Sequence, residues 1–174
     1  MIPRTLDILA VFAIAAILAF AFFWQVAYHE LPCPLCILQR VAFAMVGVAF
    51  LLNVRFFPSP VHYGMAILSA LAGAAASTRQ VLLHIAPGDQ GYGSPIFGYH
   101  FYTLGLVAFL AIIAYCGVML MFWRYWQRSA SGGVALAAQW LLLAMIAGNA
   151  VTTTLQCGFY SCPDNPTRYL WLAR

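Results

Sequence analysis

Residues 6–28 form an apolar stretch, LDILAVFAIAAILAFAFFWQVAY, in which Asp7 is the single charged residue. A helix needs about 20 predominantly apolar residues to cross the roughly 30 Å hydrocarbon layer of a bilayer. The stretch exceeds the apolar run of about 7–15 residues found in signal peptides, and no clear small-x-small cleavage site follows it. We therefore expect a retained membrane helix.

Four more stretches of this kind follow, separated by short segments rich in proline, glycine and serine. Short connections favour antiparallel neighbours packed in one bundle. The pattern predicts an all-α membrane protein, a five-helix transmembrane bundle that forms a single polytopic domain over residues 1–174 and ends in a tail, residues 156–174. The predicted helices cover about residues 6–28, 37–56, 61–85, 101–123 and 134–155.

The composition supports this fold class and excludes others. Apolar residues make up 64% of the 174 residues and charged residues 7%, with a mean hydropathy of +0.88. A soluble domain carries about a quarter charged residues, so this chain could not cover its surface in water and is expected to contact membrane lipid. All eight positive charges are arginines that form no basic patch or stripe, which excludes nucleic acid as a partner.

The arginines outside the predicted helix interiors indicate the orientation, because cytoplasmic loops carry an excess of positive charge. A cytoplasmic N-terminus assigns four of these arginines to the cytoplasmic side and two to the outer side. The four are Arg4, Arg55, Arg124 and Arg128, and the two are Arg168 and Arg174. Cys33, Cys36, residues 86–100 and the tail are then expected on the outer side.

Four of the five cysteines form two closely spaced pairs, Cys33 with Cys36 and Cys157 with Cys162. The first pair stands where the second helix begins and the other follows the fifth helix, so alternating crossings place both on one face. A helix N-terminus stabilises thiolate, the nucleophile and leaving group of disulfide exchange. Arg40, one turn after Cys36, adds a positive charge on the same helix face. We predict catalytic roles for all four cysteines.

Other interpretations of these cysteines stay open at this stage. The two pairs together are an acceptable four-thiolate zinc set, although we predict no metal, and each pair could instead form an inert structural disulfide. Cys116 lies inside the fourth predicted helix, and we expect it to be a buried bystander.

Polar residues near the outer end of the third helix are candidates for binding a cofactor. An arginine inside an apolar helix is a functional candidate, although its side chain can also snorkel to the lipid head groups. Arg79, Gln80 and His84 offer hydrogen bonds in otherwise apolar surroundings. A quinone, with its apolar tail and two carbonyls, matches such a site. The glycine- and aromatic-rich segment 90–100 is predicted to be either a re-entrant turn near the cysteines or an ordinary connecting loop.

The run Leu31-Pro32-Cys33-Pro34-Leu35-Cys36, followed by Gln39-Arg40, resembles the DsbB family of membrane disulfide-bond formation proteins. The run Thr78-Arg79-Gln80-Val81 is similar as well, and the resemblance covers roughly the first half of the chain. It implies a protein of the bacterial inner membrane with its active site on the periplasmic side. Such a protein passes electrons from a thioredoxin-fold oxidase of the DsbA type to a quinone, ubiquinone or menaquinone, drawn from the membrane pool.

Carried over by position, Cys33 and Cys36 correspond to the pair that faces the quinone, with Cys36 nearer the ring, and Arg40 corresponds to the arginine implicated in quinone binding. The second half departs from the family, which has four helices and keeps its second cysteine pair between helices three and four. Here residues 86–100 contain no cysteine, and Cys157 and Cys162 stand in the tail.

These observations predict a thiol:quinone oxidoreductase in which a partner reduces Cys157–Cys162, and Cys33–Cys36 passes the electrons to a quinone held by Arg40, with Arg79, Gln80 and His84 as further ligands. Two rival hypotheses remain. One is a non-enzymatic membrane subunit or transporter with structural disulfides on its outer face. The other is a haem-binding electron carrier, although its histidines offer no convincing axial pair. A bundle of the vitamin-K-reductase type would perform chemistry close to the main hypothesis.

Overall fold

The computed structural model describes residues 2–123 and 132–172. Arg124, Arg128 and Arg174, which contribute to the predicted orientation, lie outside the described residues, and so do the last two residues of the predicted tail. Five helices in the described part are long and apolar enough to cross a membrane. They are α1 (Ile2–Ala27), α2 (Pro34–Arg55), α3 (Pro60–Leu83), α4 (Phe101–Met121) and α5 (Gly133–Cys157).

The five predicted spans correspond to these five helices, and the differences lie at the ends. Helix α2 begins three residues earlier than predicted, because Pro34 occupies its first position, where the missing N–H of proline costs nothing. Helix α5 continues to Cys157, which therefore belongs to its last turn and not to the tail. Gly158 ends it with a φ of 65°, a conformation that favours glycine.

Helix α2 lies at the centre of the bundle and packs against the other four helices. Helices α1 and α3 flank it, α5 packs on α1, and α4 packs on α3. Phe43 of α2 and Phe109 of α4 stack with ring centroids 4.0 Å apart. The ring of Phe109 lies so close to Gly73 of α3 that a Cβ there would come within 2.2 Å of it, so this contact requires glycine.

A buried polar cluster lies near the start of α1, far from the cysteines that follow that helix. The hydroxyl of Tyr63 donates to both carboxylate oxygens of Asp7, at 2.8 and 2.9 Å, and Tyr115 donates to the same group at 3.1 Å. Arg4 donates to the carbonyl of Val54 nearby. A buried carboxylate requires such donors, and these bonds connect α1 with α3 and α4 at this end.

Candidate active site

The first cysteine pair is built into the start of α2. Cys33 is the N-cap residue, and its sulfur accepts a hydrogen bond from the backbone N–H of Cys36 at 3.2 Å. Both residues are free thiols, Cys33 buried and Cys36 partly buried. Contact with Cys36, together with burial, raises the pKa of the Cys33 thiol above its usual value. Cys36 lies in the first turn of α2, where the positive end of the helix dipole stabilises a thiolate.

Two buried glutamines surround the sulfurs on the side of α3. The amide nitrogen of Gln80 donates to the sulfur of Cys33 at 3.3 Å and lies 3.5 Å from that of Cys36. Its oxygen accepts a hydrogen bond of 2.8 Å from the amide nitrogen of Gln39, one turn after Cys36. Gln80, predicted as a quinone ligand, thus lies in contact with the cysteines.

Arg40 projects from α2 between α1 and α5. Its guanidinium donates to the side-chain oxygens of Gln25 and Asn149, at 2.6 and 3.2 Å, and to the backbone oxygen of Ala21 at 3.0 Å. These three acceptors are neutral, so they bind the guanidinium without cancelling its positive charge. An uncancelled charge in apolar surroundings attracts electron-rich groups strongly.

A cavity of about 420 Å³ lies between α1 and α4, with α2 behind it. Cys36 and Arg40 both line it, together with Gln39. The rest of its wall is mostly apolar, from residues that include Ile17, Leu18, Phe20, Phe43, Phe101 and Leu104. Apolar walls with a few convergent polar groups are typical of small-molecule sites, and the volume lies within the usual range of about 300–1,000 Å³.

The segment that connects α3 with α4 covers the outer end of this cavity. Tyr92 and Gly93 line the cavity, and the hydroxyl of Tyr92 donates to the carbonyl of Leu31 at 2.6 Å. The carboxylate of Glu30 accepts hydrogen bonds from the backbone N–H and the hydroxyl of Ser94. The segment therefore lies against the residues that precede Cys33, close to the first cysteine pair.

The second cysteine pair forms a disulfide at the end of α5. Cys157 is buried and Cys162 partly exposed. The amide of the neighbouring Gln156 donates to the carbonyl of Pro32 at 2.7 Å, which joins the end of α5 to the residue before Cys33. Both pairs thus lie at the same end of the bundle, as the alternation of the helices predicted.

The tail folds back onto the same end of the bundle. The N–H groups of Leu170 and Trp171 donate to backbone oxygens in the last turn of α5, and the hydroxyl of Tyr169 accepts a hydrogen bond from Gln25 at 2.9 Å. Gln25 is the residue that also binds Arg40. The tail is therefore connected through a single side chain to the cation beside the cavity.

Two predicted ligands, Arg79 and His84, lie outside the cavity lining. The side chain of Arg79 is exposed. The ring of His84 lies 3.1 Å from the carboxylate of Asp89 and 5.7 Å, between ring centroids, from Tyr102. Tyr102 itself lines the cavity, so His84 stands one side chain away from it. The backbone N–H of Gly91, followed by His84, holds the pKa of Asp89 below its usual value.

Several residues that shape the site were missed by the sequence reasoning. Gln25 and Asn149 are polar residues inside apolar helices, a pattern that marks functional positions in membrane proteins. The sequence therefore contains a signal that could have identified both Gln25 and Asn149. The roles of Glu30 and Tyr92 depend on how the connecting segment folds, and no sequence pattern indicates it.

The zinc hypothesis finds no support in the geometry. Within residues 2–123 and 132–172, no group of three or more histidine, cysteine, aspartate or glutamate side chains could hold a metal ion. The disulfide between Cys157 and Cys162 also removes two of the four sulfurs from any thiolate set.

Comparison with known proteins gives consistent matches. A family model described as disulfide bond formation protein DsbB matches residues 3–97. A protein of Azoarcus sp. named disulfide bond formation protein B is 34% identical over 151 residues, which cover 77% of this chain and 89% of that protein. Its namesake in Hahella chejuensis is 38% identical over 91 residues, or 50% and 55% of the two chains.

A third relative of the same name, from Chromobacterium violaceum, is 43% identical over 82 residues, which cover 45% of this chain and 49% of that protein. The chain thus spans about half the length of the Hahella and Chromobacterium relatives and most of the Azoarcus relative. No solved structure matches the chain.

Proposed function

Because the chain belongs to the DsbB family of disulfide bond formation proteins, we propose that it is a membrane thiol:quinone oxidoreductase that reoxidises a DsbA-type dithiol oxidase. The observation that carries this proposal is that Cys36 and Arg40 line one apolar cavity. The cavity thus brings the sulfur of Cys36 and the positive charge of Arg40 together in an apolar space that suits an apolar electron acceptor.

The bundle lies in the bacterial inner membrane with both cysteine pairs on the periplasmic side. Support comes from the loop arginines, of which Arg4 and Arg55 lie at the opposite end from the cysteines. The partner is a soluble thioredoxin-fold protein that reaches the disulfide from the periplasm. The surrounding lipid contacts the apolar outer faces of the helices.

Electrons enter at the Cys157–Cys162 disulfide. A thiolate of the reduced partner attacks Cys162, the more exposed sulfur of the two, so that the disulfide breaks and Cys157 leaves as a thiolate. The second thiol of the partner then resolves the mixed disulfide and releases an oxidised partner. The reduced pair is reoxidised by exchange with a Cys33–Cys36 disulfide, which lies beyond Pro32 and its contact with α5.

Cys33 and Cys36 return to the disulfide by giving up two electrons and two protons. A quinone in the cavity would accept the two electrons and two protons, which would convert it to the quinol. Cys36 and Arg40 would hold its polar ring, and the apolar wall from α1 and α4 would hold its tail. Arg79 and His84 remain predicted ligands that would have to act from outside the cavity wall.

The proposal is tested with protein purified in detergent. A reduced DsbA-type protein is added anaerobically with ubiquinone or menaquinone, and loss of quinone absorbance is followed. We expect turnover that Cys33→Ala or Cys36→Ala abolishes. Cys116→Ala is the matched control, because this buried thiol belongs to neither pair. Two outcomes would refute the proposed function. One is quinone reduction by both the Cys33→Ala and the Cys36→Ala variants, and the other is no quinone reduction by the unmodified protein.

A second assay separates the two pairs. With dithiothreitol as the electron donor, the Cys157→Ala, Cys162→Ala double variant should still reduce quinone, because a small dithiol reaches Cys33–Cys36 directly. With the protein partner as donor, the same variant should be inactive. Equal rates with both donors would contradict the proposed order of the pairs.

A further inference from the structure

We propose that Gln80 is a further catalytic residue, whose amide stabilises the negative charge on the sulfurs of Cys33 and Cys36. The catalytic role of Gln80 rests on the proposed function, but its contacts with the two sulfurs do not depend on it. Gln80 is 1% exposed, and its amide nitrogen lies within 3.5 Å of both sulfurs. It is not among the residues that line the cavity, and the groups that its amide nitrogen meets are the two sulfurs.

The orientation of this amide is set by a second residue. Gln39 donates to the oxygen of Gln80 at 2.8 Å, and the thiol of Cys36 lies 3.8 Å from the same oxygen. The bond from Gln39 leaves the nitrogen of Gln80 to face the sulfurs. Gln39 is buried as well and is held on α2 one turn after Cys36. We therefore assign Gln39 as a positioning residue that acts through Gln80.

The arrangement favours one redox state of the cysteine pair. An N–H group donates a much stronger hydrogen bond to an anionic acceptor than to a neutral one. When the dithiol forms, the amide stabilises the thiolate. When Cys33 and Cys36 close into a disulfide, the pair gives up two electrons and its one remaining thiol proton, so that charge disappears and the bond weakens. Gln80 therefore stabilises the reduced pair and makes its disulfide a stronger oxidant of the second pair.

The same amide also lowers the barrier to exchange. Attack on the Cys33–Cys36 disulfide breaks its S–S bond and places the bonding electron pair on the leaving sulfur. A donor already aimed at that sulfur needs no reorganisation when the charge develops. Gln80 contacts both sulfurs, so it can serve whichever of the two leaves.

The test measures the cysteine pair itself, without quinone or protein partner. In the full chain carrying Cys116→Ala, Cys157→Ser and Cys162→Ser, the equilibrium of Cys33–Cys36 with reduced and oxidised dithiothreitol is determined, along with the thiolate absorbance of the reduced pair. Gln80→Glu keeps the size of the side chain but replaces the N–H donor with an acceptor, and Gln80→Leu removes both. We expect each to lower the equilibrium constant for reduction about tenfold or more, with a loss of thiolate absorbance.

Two further variants complete the test. Gln39→Leu should have a smaller effect in the same direction, because the Gln80 amide can then rotate. Ser77→Ala is the matched control, since Ser77 is a buried polar residue one turn earlier on α3, and it should change neither measurement. If Gln80→Glu folds and both measurements stay within about twofold of the parent, the assignment is overturned, since a bond to an anion contributes more than that. Failure of quinone reduction alone would refute the proposed function and leave this result unaffected.

Discussion

The side-chain amide of Gln156 donates a hydrogen bond of 2.7 Å to the carbonyl of Pro32, 124 residues earlier in the chain. Gln156 is followed by Cys157, and Pro32 is followed by Cys33. This hydrogen bond therefore connects the helix that carries one redox pair to the segment that carries the other. The bond is buried, and a buried acceptor left without its donor costs about 1–3 kcal/mol.

Gln156→Leu should slow electron transfer between the two pairs. The substitution leaves the Pro32 carbonyl without this donor and frees the end of α5 to move away from Cys33. We expect a several-fold slower oxidation of the Cys157–Cys162 dithiol by the Cys33–Cys36 disulfide, measured by quenched-flow alkylation in detergent. Thr154→Ala, a partly exposed position two residues earlier on α5, is the control. An unchanged rate would show that the bond does not position the pairs.

Arg40→His should weaken quinone binding while the cysteines stay oxidisable. Charge-assisted hydrogen bonds contribute about 1.5–3 kcal/mol, so the apparent KM for quinone should rise about tenfold or more. Diamide, which needs no binding site, should still oxidise Cys33 and Cys36. Arg40→Lys retains the charge but loses the planar fork that reaches Gln25 and Asn149, and we expect an intermediate KM.

The same KM measurement tests the other predicted ligands. Arg79 is exposed and His84 bonds to Asp89, so the geometry leads us to expect changes below about twofold for Arg79→Ala and His84→Ala, since neither removes a bond to the bound ring. A rise as large as that for Arg40→His would mean that these side chains reach the quinone in the working protein.

The proposed orientation predicts which positions are labelled from outside the cell. Phe97, in the segment between α3 and α4, is 98% exposed, and Phe56, at the end of α2, is 67% exposed. In a Cys116→Ala background, Phe97→Cys should react with a membrane-impermeant maleimide in cells with a permeabilised outer membrane. Phe56→Cys should react only after the inner membrane is also opened. The reverse labelling pattern would contradict the proposed topology. The Cys116→Ala protein without an added cysteine is the control, since it shows how much label the other cysteines take up.

Asp7→Leu should destabilise the end of the bundle opposite the cysteines. It removes the acceptor of the Tyr63 and Tyr115 hydroxyls, at a cost of about 1–3 kcal/mol for each buried donor that finds no other partner. The temperature at which buried Cys116 becomes alkylated should fall. Asp7→Asn keeps an acceptor oxygen and should have a smaller effect. Equal alkylation temperatures in all three proteins would show that the cluster does not hold this end together.

The number and approximate extent of the helices were predictable, because each must carry enough apolar residues to cross a bilayer. The exact ends were not. The predicted fifth helix ends at residue 155, but the helix continues to Cys157 and stops at Gly158, where a Cβ would lie 2.7 Å from Trp171. The close approach of Trp171, 13 positions later, is a tertiary contact that a local pattern does not contain.

The candidate site likewise has features that were predictable from the sequence and others that were not. The spacing of Cys33, Cys36 and Arg40 was enough to predict that they share the start of one helix, since spacing on a helix fixes which side chains are neighbours. The distant residues that meet them follow from the packing of the bundle: Gln80 on the sulfurs, Gln25 and Asn149 on Arg40, and Gln156 beside Pro32. Those contacts depend on how each helix is rotated about its axis, and nearly uniform apolar helices carry little periodic signal that sets this rotation.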